Sequence, residues 1–358
     1  MSKLLQREEL VFTCPLPVAA HDRIVLGHGS GGRLSANLLR DVFLRRFSNP
    51  VLDRLDDQAV FPIGGSQVAF TTDSFVVQPL FFPGGDIGSL AIHGTVNDLA
   101  MSGAMPLYIG AAFIVEEGLP IETLRRVAES MAVAAESAGV MIVTGDTKVV
   151  QRGKGDGVFI TTTGIGIVPS GIRMSANAVR PGDVVILSGF IGDHGIAILS
   201  SREGLQFDTT ILSDSAPLHG LVADMLAALP PGSDAIRCMR DPTRGGLSST
   251  LNELADASGV GIQVVEAKIP VRDQVRGACE LLGLDPMYVA NEGKLVAVVA
   301  PEAADRILAA MRKHPLGTDA AIIGTAVLGN PGMVTMKTAF GSTKIVDLLP
   351  GDQLPRIC

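Results

Sequence analysis

IETLRRVAESMAVAAESAGVMIVTGD, residues 121–146, carries two hydrophobic patterns back to back. Ile121, Leu124, Val127, Met131, Ala135 and Ala138 fall on one face at helical spacing, and Gly139 stands where a helix C-cap belongs. The spacing predicts a helix over 121–138. GVMIVTGD at 139–146 then has the short apolar run of a strand. A helix feeding a strand in this way predicts an α/β or α+β architecture. Working outward, IVLG (24–27), VAFTTD (68–73) and VFITTTGIGIVP (158–169) read as strands, and 88–101 reads as a helix. VVILSG (184–189) follows a Pro-Gly-Asp turn, and the second half repeats the mixture. Helical patterns there occupy 195–203, 218–229, 247–259, 271–283 and 301–313, between strand-like runs at 261–267, 294–300 and 320–329. No fixed-period repeat is present.

Strand and helix patterns alternate from about residue 23 with a boundary near 170–180, so the expected domains are 22–172 and 173–345 with a tail at 346–358, and residues 1–21 have no reading. The tail DLLPGDQLPRIC is punctuated by Pro and is expected to be mobile. The chain's 358 residues carry 29 Lys plus Arg against 37 Asp plus Glu, a formal charge of -8, with two Tyr and no Trp. That balance argues against nucleic acid as a partner. Cys14, Cys238, Cys279 and Cys358 make no C-x-x-C pair, which fits a reducing compartment. Lys3, Arg7, Glu8 and Glu9 occupy the place of a signal peptide's apolar core, and the uncharged runs 99–115 and 320–336 are too short to span a bilayer. The expected location is therefore the cytoplasm, without membrane contact.

Gly27-His28-Gly29-Ser30-Gly31-Gly32 satisfies G-x-G-x-x-G between a strand-like and a helix-like segment, with Asp53 further on. A dinucleotide reading is tempting, but NPVLDRLDDQAVFP does not make a clean second parallel strand. The surviving physics is an anion cradle: Gly29, Ser30, Gly31 and Gly32 let backbone N–H groups converge on phosphate, with His28 a weaker contact. The other reading is a glycine-rich turn with no ligand. There is no Walker loop. Asp57, Asp73, Asp98 and Asp146 instead lie at the ends of apolar runs, as carboxylates that Mg²⁺ shares with waters and phosphates. Singly, such an aspartate is more often a turn or cap residue; four together with a glycine loop shift that balance.

TTDSFVVQPLFFPGGDIGSLAIHGTVNDLAMSGAMPLYIGAAFIVEEGLP (71–120), AGVMIVTGDTKVVQRGKGDG (138–157), RDPTRGGL (240–247), ANEGKL (290–295) and LPRIC (354–358) together closely resemble the HypE family of hydrogenase maturation proteins. The resemblance runs from about Asp22 to Cys358. It implies a two-domain PurM-like fold of the aminoimidazole ribonucleotide synthetase superfamily, with an N-terminal ATP-binding α/β domain that dimerises through its sheet. It also implies an ATP-dependent carbamoyl dehydratase that uses ATP and Mg²⁺. The terminal Cys358 would receive a carbamoyl group from the carbamoyltransferase HypF. Dehydration would give a thiocyanate, and the HypC–HypD complex would accept the cyano group as an iron ligand of the [NiFe] hydrogenase centre.

On that reading Cys358 is the nucleophile and carrier, with Arg356 favouring the thiolate and the terminal carboxylate opposing it. Glu292 is the first choice for the base that takes the N–H proton, against a hydrogen-bonding role in a turn. Lys148 binds phosphate or steers the carbamoyl oxygen, against a surface salt bridge. Asn97, Asp98, Asp146, Thr147, Asp241 and Arg244 complete the expected nucleotide contacts; Asp241 and Arg244 serve the nucleotide or the tail without a choice between them. His93 reads equally as a site residue or a satisfied core histidine. Cys14, Cys238 and Cys279 read as buried small apolar residues or incidental thiols. The competing functions are selenophosphate synthetase, thiamine monophosphate kinase or the purine synthetase itself, a non-catalytic ATP-binding assembly partner, and a dinucleotide-dependent oxidoreductase.

Overall fold

A hairpin with two left-handed glycines opens the first sheet. β1 (Ala59–Ile63) and β2 (Ser66–Phe75) turn at Gly64 and Gly65, whose φ values of 57° and 88° suit residues without a Cβ. Burial along β2 alternates, with Ala69, Thr71 and Phe75 inside and Phe70 outside. The structure is a computed structural model that describes residues 22–204, 210–349, 351 and 356–358.

Ahead of β1 the chain forms α1 (Arg33–Leu38), a π-helical stretch Leu39–Leu44 and α2 (Arg45–Phe47). The strand expected at 24–27 does not form. The first sheet ends at β1, so this segment has no neighbour to pair with; Ile24 and Leu26 are 72% and 68% exposed, and Leu26–Gly29 makes a 3₁₀ turn. Without that strand the dinucleotide reading loses its first element.

β3 (Phe81–Phe82) and β4 (Gly85–Asp86) lead into α3 (Ile87–Met101). Asp86 fixes its start: the carboxylate accepts from Gly88 N at 2.7 Å and Ser89 N at 3.1 Å, while Ser89 Oγ accepts from Asp86 N at 3.1 Å. α3 is buried on nearly every side, as a helix between two layers must be. β5 (Met105–Glu116), α4 (Ile121–Ser137), β6 (Met141–Val150) and β7 (Val158–Val168) complete the half. The sheet order is β1-β2-β7-β5-β6, with only β5 and β6 parallel. Helix 121–138 and its strand thus form where the pattern puts them, although Ile121 is exposed and the buried face begins at Val127.

The second half holds β8 (Val184–Leu187), α5 (Asp193–Glu203), α6 (His219–Ala227), β9 (Ile236–Arg240), α7 (Gly246–Ser258) and β10 (Gly261–Val265). α8 (Asp273–Leu282), β11 (Val296–Val299), α9 (Pro301–Met311), β12 (Ala321–Val327), β13 (Val334–Lys337) and β14 (Thr343–Val346) follow. Its sheet runs β14-β13-β10-β12-β8-β11-β9 with one parallel pair, β10 with β13. β8 and β11 are apolar without alternation because both faces of the sheet are covered. One apolar cluster joins Phe75, Leu90, Ile109 and Ile160 of the first half to Ile196, Val275 and Val289 of the second.

Ile357 belongs to that same cluster. Of the tail, Ile357 is seated in the interior, 5% exposed, with Arg356 and Cys358 half-buried on either side, a position that apolar burial favours. Residue 350 and residues 352–355 of the tail, and the extension 1–21 with Cys14, lie outside the described residues.

α3 approaches β7 at Gly164, where a Cβ would lie 2.6 Å from Thr95 Cγ2 and 2.9 Å from Leu99 Cδ1. Gly164→Val is expected to destabilise the fold by about 1–3 kcal/mol through overpacking, read from the midpoint of urea unfolding.

Candidate active site

The alternation of β2 that buries Thr71 also turns Asp73 toward α3. Thr71 Oγ1 donates to Asp98 Oδ2 of α3 at 2.7 Å and lies 3.2 Å from the Asp57 carbonyl, which gathers three chain segments around one hydroxyl. β9 of the second sheet delivers Arg240 and then Asp241 to the same place. Arg240 Nη1 donates to Asp57 Oδ1 at 2.6 Å, and its other nitrogen bonds the Leu55 carbonyl. Asp56 and Glu253 stand 3.9 Å and 3.7 Å from the same guanidinium.

Glu292 enters from the segment before β11. Its N–H donates to Asp214 Oδ1 at 3.0 Å, its carbonyl accepts from Asn97 Nδ2 at 3.1 Å, and its Oε1 is buried without a partner. Asp214 is itself buried beside Lys294, at 3.1 Å. Asn97 also donates to the Ala216 carbonyl and accepts from Leu218 N, so its amide is spent on backbone. Asn97, expected at the nucleotide, here braces the backbone of Glu292.

Burial, then mutual repulsion, dominates the electrostatics. Desolvation raises Asp98 well above the usual carboxylate range, with Asp241, Asp73 and Asp57 adding to it. Asp241 rises for the same first reason, with Asp57 and Asp73 contributing. Glu292 rises through burial and through Asp241, Asp73 and Asp214, against Arg244. Burial likewise lifts Asp73, opposed by Arg244. The Cys358 thiol faces this same set: burial pushes its pKa up, Arg244 pulls it down, and Glu292, Asp73 and Asp241 push it further up. Cys358, Glu292, Asp73, Asp98, Asp241 and Arg244 are thus brought together.

The glycine loop leans on Arg244 from the other side. Arg244 Nη1 donates to the Gly29 carbonyl at 3.3 Å and Ser249 Oγ to the Gly31 carbonyl at 2.9 Å. Gly31 has φ 76°, and a Cβ there would sit 2.6 Å from the Arg244 carbonyl, so only glycine fits. Two of the loop's N–H groups are used within the segment, Ser30 N by the Gly27 carbonyl and Gly31 N by Ser35 Oγ. Ser30 Oγ also bonds the Gly27 carbonyl.

Asp146, Thr147 and Lys148 do not join this set within one chain. They lie on β6, the far edge of the sheet, where Asp146 and Lys148 pair with each other at 2.5 Å and are 63% and 68% exposed. Register explains the separation. Asp73 is in line with Thr162, Ala111 and Gly145, whereas Asp146 is in line with Ala112, Thr161 and Ser74, one residue out of phase and so on the opposite face. Lys148 and Thr147 hold the Asp146 carboxyl below its usual range, as for a surface pair and not a member of the buried acidic group. His93 bonds Ser215 Oγ at 3.0 Å, and burial pushes its pKa down to about 4, which favours the neutral imidazole. His28 Nδ1 accepts from Val25 N at 3.0 Å, a local turn contact. Cys238 and Cys279 are buried, as their small apolar character predicts.

The sequence reading missed Arg240, although it directly precedes Asp241 in RDPTRGG, and missed Asn97's bracing and the seat of the tail. Motif spacing could have flagged Arg240; the other two depend on segments 195 and 163 residues apart.

Two family models match in tandem: AIR synthase related protein, N-terminal domain, over residues 55–168, and its C-terminal domain over residues 180–337. The carbamoyl dehydratase HypE of Azotobacter vinelandii is 61% identical over 331 residues, 92% of this chain and 96% of that protein. This chain belongs to the HypE family. Among solved structures, a HypE–HypF complex aligns with TM-score 0.82 at 48% identity over 87% of this chain and 99% of that one. A HypE hydrogenase maturation protein in complex with ATP aligns with TM-score 0.78 at 49% identity over 94% and 100% of the two chains. The fold is therefore that of the HypE family, and the chain is an enzyme of hydrogenase maturation. Membership sets aside the dinucleotide-dependent oxidoreductase, the selenophosphate synthetase and the kinase readings. Among the described residues no helix is long and apolar enough to cross a membrane.

The acidic set predicts a pH signature. Carboxyls whose pKa is raised on folding cost nothing below the unfolded value near pH 4 and destabilise progressively as pH rises through the folded value. Asp98→Asn keeps the acceptor for Thr71 and removes that charge. It is expected to raise the melting temperature by about 2–4 °C near pH 8 and by less near pH 5, measured by calorimetry without nucleotide.

Proposed function

We propose that this enzyme dehydrates an S-carbamoyl group carried on Cys358 to a thiocyanate at the expense of ATP. The observation that carries the reading is the seating of Cys358 against Arg244, Glu292, Asp73 and Asp241. In balance, R–S–C(O)NH₂ and ATP give R–S–C≡N, ADP and phosphate, the amide oxygen leaving with the phosphate and two N–H protons being lost. ATP supplies the phosphoryl group that turns a poor leaving oxygen into a good one.

The chain's own residues suit the remaining work. The burial of Glu292, its unpartnered Oε1 and its raised pKa support it as the base that takes an N–H proton from a group on the neighbouring sulfur. Arg244, solvent-accessible yet facing the thiol, serves the developing phosphate or the tail. For Mg²⁺ the test is the donor set. Asp73, Asp98 and Asp241 offer hard oxygens whose mutual repulsion a cation would relieve, whereas Asp57 is already committed to Arg240. Among the described residues no group of three or more such side chains is arranged to hold a metal by itself, which fits an ion that takes waters and phosphates as its other ligands. Mg²⁺ would supply charge neutralisation for the phosphoryl oxygens.

Asp146, Thr147 and Lys148 enter this reading through a homodimer. The exposed face and edge of the first sheet carry Phe70, Tyr108, Ile114, Met141, Val143, Val149 and Ile165, an apolar surface suited to a second copy. We infer that the dimer forms there and that Lys148 and Asp146 act on nucleotide at that interface. HypF as carbamoyl donor and HypC–HypD as cyano acceptor follow from the family reading, with the HypE–HypF complex of a relative in support of the first. The assembly-partner reading differs in predicting ATP binding with no change at Cys358.

With Cys358 carbamoylated by the donor enzyme or by cyanate, peptide mass spectrometry is expected to show loss of one water from the tail peptide only after MgATP is added. A carbamoyl adduct that persists in an ATP-binding protein would reject the reaction. Glu292→Gln is expected to slow the loss by about 10²–10⁴-fold while ATP still binds. Val143→Glu on the exposed sheet is expected to shift the mass in sedimentation from dimer toward monomer; an unchanged dimer would place the interface elsewhere.

A further inference from the structure

The seat of the tail is built from backbone groups and three side chains far from it in sequence. Val76 N donates to the Cys358 carbonyl at 2.9 Å and Gln78 N to the Arg356 carbonyl at 3.2 Å, alternate residues meeting alternate residues as in a strand pair. Arg202 Nη2 also donates to the Arg356 carbonyl at 2.7 Å, and its Nε to the Gln78 carbonyl at 3.0 Å. The Arg356 side chain pairs with Asp156. Arg356 itself has φ 59°, a left-handed backbone that a side chain adopts only when its surroundings impose it.

Between these contacts stands His194, fully buried. Its Nε2 lies 2.6 Å from the Ile357 carbonyl and its Nδ1 2.8 Å from Ser213 Oγ. A carbonyl only accepts, so Nε2 carries the proton, and Nδ1 is left to accept from the serine hydroxyl. Ser213 is fixed in turn, its N–H on the Pro83 carbonyl at 2.8 Å and its Oγ accepting from Ser215 N at 3.1 Å. The Phe82 ring packs edge-on against the imidazole with centroids 5.6 Å apart. Burial lowers the imidazole's pKa, against Asp214 and the Ile357 carbonyl, and so keeps it neutral in this tautomer.

We propose that His194 is a positioning residue for Cys358, holding the Ile357 carbonyl and through it the orientation of the thiol in the active site. The Ile357 carbonyl and the Cys358 N–H share one rigid peptide plane, so fixing the first fixes the direction in which Cys358 leaves it. Ile357 is buried when seated, and without a donor at Nε2 its carbonyl would lose water and gain nothing, which disfavours the seat. The inference rests on Cys358 being the carrier, and it assigns the seat's recognition to a short Arg-Ile-Cys segment read by backbone, an acidic partner for Arg356 and this one imidazole.

The experiment uses the full chain and follows alkylation of Cys358 by iodoacetamide, peptide by peptide. The seated wild-type thiol is expected to react slowly. His194→Ala is expected to react about five- to tenfold faster, as for loss of one buried hydrogen bond. His194→Gln, whose amide N–H can reach the same carbonyl, is expected to return toward the wild-type rate. On the S-carbamoylated chain, His194→Ala is expected to lower the first-order rate of ATP-dependent water loss with little change in the ATP concentration at half-maximal rate. Equal alkylation of wild type and His194→Ala, with matching circular dichroism, would overturn the proposal. If His194→Ala does not fold, Arg202→Gln and Ile357→Ser decide in its place: faster alkylation in both supports the seat, and no change in either overturns it. A wild type that shows the protected thiol but never loses water would reject the carrier reading alone.

Discussion

Unbalanced negative charge in a buried place is the constraint around which this molecule is organised. Asp57, Asp73, Asp98, Asp241 and Glu292 come from both halves of the chain, and burial lifts their pKa values before any neighbour is considered. Two arginines divide the compensation. Arg240 is buried among Asp57, Asp56 and Glu253 and acts as a structural counter-ion between the halves. Arg244 remains accessible and faces the thiol, so its charge is available to whatever enters. The acidic set is left short of positive charge, which is the condition under which a cation and a polyphosphate bind together more readily than either alone.

The tail brings a thiol into that charged setting by an apolar route. Ile357 joins the cluster shared by α3, α5 and the segment before β11, while Arg356 stays at the rim with Asp156. Burial and carboxylates raise the pKa of the seated thiol, so the neutral form is favoured inside. A sulfur that must be acylated is a better nucleophile in water, whereas an acylated sulfur no longer carries charge and loses nothing by being buried. For the carrier role proposed for Cys358, the preferences of the two forms would run out for loading and in for processing.

The first sheet serves two surfaces at once through its two faces. Inward residues of β2 and β7 meet α3 with close approaches such as Gly164 on Thr95 and Leu99. Outward residues, with nearly all of β6, remain exposed; Phe70, Tyr108, Met141, Val143, Val149 and Ile165 are apolar there, interleaved with Thr72, Ser74, Thr144 and Thr147 and the Asp146–Lys148 pair. A charged pair within an apolar exposed strand has its natural role where a second surface covers it.

Much of this is written in the sequence. The helix at 121–138, the α/β alternation, the chemistry of the acidic residues and the family resemblance all follow from local pattern and motif, because period and residue type are properties of short segments. Asp73, Asp98, Asp241, Arg244, Glu292 and Cys358 are each singled out in the sequence, by residue type, motif or resemblance. What the chain's order cannot express is phase and distance. Whether Asp146 shares a face with Asp73 depends on strand register across three neighbours, whether Asn97 touches ligand or braces Glu292 depends on a contact 195 residues away, and whether the tail is free or seated depends on a cavity for Ile357. Local sequence determined the elements and the chemistry they carry. Tertiary structure alone decided which of those groups meet, because long-range pairing and burial fix register and distance that no short segment contains.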